Sequence, residues 1–100
     1  MAHYRVTARP YPETLEELKK RIRNREFVVL QPFGKSLNYS LENARVEEGG
    51  DWVWEELDYC SPPLKQERAQ VLDHYFKIIE VIPVEKGEGW KSIQELPNAL

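Results

Sequence analysis

Ala44-Arg45-Val46-Glu47-Glu48-Gly49-Gly50-Asp51-Trp52-Val53-Trp54 has the pattern of a β-hairpin, with alternating flanks around a Gly-Gly pair. The two glycines supply the positive φ angles that a two-residue turn needs. Such a turn pairs Glu48 with Asp51, Glu47 with Trp52, Val46 with Val53 and Arg45 with Trp54. Side chains alternate across a sheet, so Ala44, Val46, Val53 and Leu57 share one face. Arg45, Glu47, Trp52, Trp54 and Glu56 share the other.

Working toward the N-terminus, Leu37, Tyr39 and Leu41 alternate with Asn38, Ser40 and Glu42, which reads as a strand. The phase then slips, and a β-bulge near Glu42-Asn43 absorbs the slip. A short helical turn over Ser40 to Arg45 is the competing explanation. Phe27-Val28-Val29-Leu30 is apolar on both sides and predicts a strand covered twice. Thr14-Leu15-Glu16-Glu17 reads as a capping box, and Leu15, Leu18 and Ile22 continue as one helical stripe ending near Asn24. Tyr4 to Ala8 alternates around Val6 as a first strand, stopped by Pro10 and Pro12.

Toward the C-terminus, the tryptophan strand runs toward Tyr59. Ser61-Pro62 then starts a helix with a capping hydroxyl and a proline at its first position. Leu64, Arg68, Val71, Leu72, Tyr75 and Phe76 follow at helical spacing. Lys77 to Val84 is the next strand, with Pro83 marking an edge or an end. The tail carries Gly87, Gly89 and Trp90, then one helical turn around Ser92 to Leu96. The expected order is therefore β-α-β-β-β-α-β. The fold class is α+β, an open and mainly antiparallel sheet with two helices on one face. Without the extra hairpin strand, that order is the ferredoxin-like one.

A chain of 100 residues, 41% hydrophobic and 31% charged, fits one globular domain spanning residues 1–100. Residues 1–50 hold nine Lys/Arg against seven Asp/Glu, and residues 51–100 hold five against ten. The halves thus carry +2 and −5, which gives no global pull toward nucleic acid or anionic membrane. Cys60 is the only cysteine, so no internal disulfide forms, which suits a reducing compartment. The first residues lack the apolar core of a signal peptide, and no apolar run is long enough to span a bilayer. The expected compartment is the cytoplasm, with no membrane association.

These faces suggest a binding surface. If helices cover the valine face, Trp52 and Trp54 stand on the open side with Arg45, and Tyr39 adjoins them. Tryptophan and arginine together are enriched at binding hot spots. The competing arrangement folds the tail around Trp90 and Leu96 over both indoles. The sequence-based expectation is thus a small non-enzymatic binding domain, using Trp52, Trp54, Arg45 and Tyr39 for a homodimer, a protein partner or a small ligand. An alternative is single-stranded nucleic-acid binding through Lys19, Lys20, Arg23 and Arg25, although Glu16 and Glu17 supply ordinary helix ion pairs. A second alternative is a small-molecule enzyme with Glu56 or Asp58 as base and Cys60 or His74 nearby. It requires an enclosed pocket. Cys60 stands ahead of a helix start, a place that can lower a thiol pKa, but it reads better as a half-buried small residue. No catalytic set, metal set or cofactor is expected, since Cys60, Asp73 and His74 form no closely spaced ligand pair.

Overall fold

Strands β1 (Ala2–Pro10) and β4 (Phe76–Val84), nine residues each, lie side by side and antiparallel, pairing from His3–Val84 to Pro10–Phe76 with one irregularity at Thr7/Ala8. The computed structural model describes residues 2–58 and 60–100. On its other edge β1 pairs antiparallel with β3 (Trp52–Asp58), from Ala2–Asp58 to Ala8–Trp52. The short β2 (Arg45–Val46) closes the four-stranded sheet in the order β2-β3-β1-β4. The helices are α1 (Leu15–Arg23), α2 (Gly34–Glu42), α3 (residues 65–75, with wider π-helical turns at Arg68–Leu72) and α4 (Glu88–Ile93). No helix among the described residues is long and apolar enough to cross a membrane.

The α+β class and the open antiparallel sheet are as the sequence implies. The expected order β-α-β-β-β-α-β is corrected to β-α-α-β-β-α-β-α. The run expected as a doubly covered strand, Phe27 to Leu30, is instead part of a 3₁₀ turn, Glu26–Val29. Gly34 presses directly on this turn, where a Cβ would stand 2.2 Å from the Phe27 carbonyl oxygen. The expected strand through Leu37, Tyr39 and Leu41 is helix α2. Phe33, Leu37 and Leu41 also stand four apart, so the same letters make a helical stripe. All three are buried, while Tyr39 is 61% exposed. With a helix here, no bulge is needed at Glu42-Asn43. The expected continuation of β3 toward Tyr59 lies outside the described residues.

The capping box is also corrected. Thr14 makes no capping bond and its Oγ1 is buried without a partner. Glu17 instead accepts a hydrogen bond from the Tyr75 hydroxyl at 2.5 Å, and Arg21 donates to that hydroxyl at 2.6 Å. This link ties α1 to α3.

The hairpin exists, but its register differs by one residue. The Glu47 amide donates to Asp51 O, leaving a three-residue loop of Glu48, Gly49 and Gly50. Val46 therefore faces Trp52, and Arg45 faces Val53. A one-residue slip exchanges the faces of a strand. Trp52 and Trp54 consequently join the main core, each against Phe76 at 5.4 and 5.3 Å between ring centroids. The tail does fold back, but over the opposite face, beside Arg5, Thr7 and Val53. It also bonds to β2, through Val46 N to Pro97 O and Ala99 N to Ala44 O.

Trp54 is fully buried, so Trp54→Ala leaves a cavity and is expected to cost about 3–5 kcal/mol in a urea denaturation series. A loss below about 1 kcal/mol contradicts this packing.

Candidate functional site

Strand β3 is buried along most of both faces and still carries three acids, Glu55, Glu56 and Asp58. Alternation places Glu55 on the face toward α4. Glu56 and Asp58 follow the tryptophans into the helix-covered face.

Glu55 is fully occupied. It accepts from the amides of Gly87 at 2.9 Å, Gly89 at 2.7 Å and Trp90 at 3.2 Å, with His3 Nδ1 at 3.4 Å. These are the free donors at the start of α4, where a carboxylate is favourable. Gly89 allows this closeness, because a Cβ would come within 2.8 Å of Glu55 Oε1 and the carboxylate would have to shift.

On the other face the acids are less well supplied. Glu56 Oε1 accepts from the Trp54 indole at 3.1 Å, but Glu56 Oε2 is buried with no partner. Burial, with the neighbouring Glu67 charge second, pushes its carboxyl well above the ordinary value. Asp58 accepts the Leu64 amide at 2.5 Å, fixing the turn where Leu64 adopts a left-handed φ of 65°. Burial pushes the Asp58 carboxyl up, but the bonds from Leu64, Glu67 and Cys60 outweigh it and hold the group low.

Glu67, on α3, is the fourth acid and has no exposed surface. The Cys60 thiol donates weakly to its Oε1 at 3.8 Å, and its Oε2 meets no donor. Burial, then the hydrogen bond shared with Asp58, raises its carboxyl to about 7. Asp58, Cys60 and Glu67 present one oxygen or sulfur atom each, all within 4.8 Å of one another.

These three groups line a cavity of about 440 Å³. Pro32, Phe33 and Leu57 provide apolar walls, while Ser36, Ser61, Lys65 and Gln66 supply polar groups around the acids. A small recess with a few convergent polar groups is the usual form of a small-molecule site. The Gln66 amide favours the Cys60 thiolate, but burial and the two carboxyls outweigh it, so the thiol pKa is raised. Cys60 is half-buried, as the sequence favours, and its thiol is not activated by the helix start.

The sequence-predicted residues are distributed differently. Trp52 and Trp54 are sealed in the core, so the exposed indole face is absent. Arg45 donates to Leu96 O at 2.7 Å and, longer, to Gln94 O at 3.5 Å. Tyr39 and Arg45 do meet, in a shallow groove with Trp90 rather than with the other indoles. In the basic run, Lys19 lies 3.9 Å from Glu16 and Arg25 lies 3.6 Å from Glu42, while Lys20 and Arg23 have no acidic partner among the described residues. Asp73 and His74 are exposed, and Asp73 pairs with Arg68 at 3.2 Å. Glu67 is the cavity acid that the sequence motifs do not single out. Its signal was positional: three after Leu64 and four before Val71, it is a carboxyl on the apolar stripe of α3.

No family model, curated protein or solved structure matches the chain.

Replacing Glu67 by glutamine retains an oxygen for Cys60 and adds an amide donor for Asp58. A carboxyl raised from 4.5 to about 7 on folding contributes stability below the lower value and loses it as pH rises through the higher one. The loss by pH 8 is on the order of 3 kcal/mol. Glu67→Gln is therefore expected to raise Tm at pH 8, by several degrees more than at pH 5. Thermal melts showing no gain at pH 8 contradict it.

Proposed function

We propose that the chain is a small-ligand-binding domain whose site is the cavity between β3 and the start of α3. It takes a compact cationic or hydrogen-bond-donating compound. The observation that carries this reading is the Glu67 carboxyl, buried in the cavity wall near Asp58 and Cys60, with an oxygen that meets no donor. Once Glu67 is ionised, its unpaired buried acceptor costs roughly 1–3 kcal/mol, and a donor brought by a ligand recovers that cost. Lys65 and Ser61 at the rim, both exposed, give an entering compound a polar mouth.

The binding class expected from the sequence is kept, while its location moves. With both indoles in the core, self-association through an exposed tryptophan face loses its support. The basic α1 run is partly paired with acids, which weakens the nucleic-acid reading. A base at Asp58 is a second reading, favoured by its place in the wall of the cavity. Glu56 does not line the cavity and supports it less.

Titration with methylguanidinium or a small diamine is expected to shift the amide resonances of Phe33, Ser36, Cys60 and Glu67 together. The Glu67→Gln variant should lose most of this response. Shifts confined to the groove of Tyr39 and Trp90, or none anywhere, contradict the assignment.

A further inference from the structure

The acids of this domain differ in one respect. Glu55 has a full set of donors from the α4 amides, whereas Glu67, equally buried, holds an oxygen without any. That oxygen belongs to a group whose neighbours are also ligands: Asp58 on one side and the Cys60 sulfur on the other. We infer that Asp58, Cys60 and Glu67 form a binding site for one divalent cation of the zinc class, with its fourth position open to the cavity. The inference deepens the small-ligand reading above and rests on the same cavity.

The geometry suits such an ion. Metal–ligand bonds of about 2.0–2.3 Å at tetrahedral angles place donors roughly 3.5 Å apart. Cys60 Sγ stands 3.8 Å from Glu67 Oε1, the other oxygen of the same carboxyl, and one ligand atom from each of the three residues lies within 4.8 Å of the others. A contraction of about an ångström completes the triangle, small for side chains on a strand end, a loop and a helix. Asp58 is fixed by the Leu64 amide and Glu67 by its helix, so two of the three ligands are held before an ion arrives.

The donor types select the ion. Two carboxylates with one thiolate suit zinc or cobalt, whereas magnesium and calcium favour oxygen alone. Three protein ligands with one position open is the arrangement of a site that binds a further molecule, and the cavity supplies the room for it. Binding displaces the thiol proton of Cys60 and any proton shared by the two carboxyls, and these leave to solvent.

The test uses the full chain, stripped with chelator and titrated with zinc by calorimetry and with cobalt by absorbance. One zinc per chain, a raised Tm and a cobalt–thiolate charge-transfer band are expected, with magnesium and calcium inactive. Cys60→Ser should abolish the band and, like Glu67→Gln, weaken zinc binding by more than about tenfold. Substituting His74 with alanine should leave affinity unchanged. Zinc binding that survives both ligand variants, or no zinc binding at all, overturns the metal assignment. If zinc fails while the guanidinium shifts at Phe33 and Cys60 persist, the cavity reading stands without the metal. Failure of both removes both.

Discussion

A strand buried on both faces that nonetheless carries three carboxyls constrains everything around it. Burying an acid without a partner is costly enough that the group finds donors, loses its charge or becomes a place where something binds. In β3 these outcomes are separated by the alternation of the strand. Glu55 points to one face and is met by the opening amides of α4. Glu56 and Asp58 point to the other, where α3 brings a fourth acid toward them instead of a cation.

This arrangement explains the C-terminal segment. Helix α4 is short, and the amides of Gly87, Gly89 and Trp90 at its start are held by Glu55, while Glu88 N donates to Glu85 O. Gly87, at a φ of 86°, and Gly89, packed against the Glu55 side chain, let the backbone come that close. Beyond α4 the chain bonds to β2 through Pro97 and Ala99, so the sheet is covered on that side and the outer edge of β2 is paired. With Glu55 satisfied, the unmet hydrogen-bonding capacity gathers at the opposite face, beside Cys60.

Much of this was legible in the letters, and the rest failed for identifiable reasons. Strands β1 and β4, α1 and the Gly-Gly hairpin follow from periodicity and turn chemistry. Leu37, Tyr39 and Leu41 fit a period of two and, with Phe33, a period of four; only burial of the leucines and exposure of Tyr39 decide between them. Gly-Gly permits two loop lengths, and the longer one moved both tryptophans from the expected outer face into the core. Glu56 and Asp58, alternating with Leu57, lie on the tryptophan face, so both are buried with the indoles. Glu67 was visible as a polar residue on an apolar stripe, but its meeting with Asp58 and Cys60 depends on tertiary packing that no local pattern encodes.

The account depends most on two carboxyls, Asp58 and Glu67, sharing one buried place with too few donors between them. The most direct measurement is a carbon-13 NMR titration of the side-chain carboxyls in chelator-treated protein. Glu67 is expected to titrate near 7, with Asp58 below its ordinary value. Both groups titrating together near pH 4, as free carboxyls do, contradicts it.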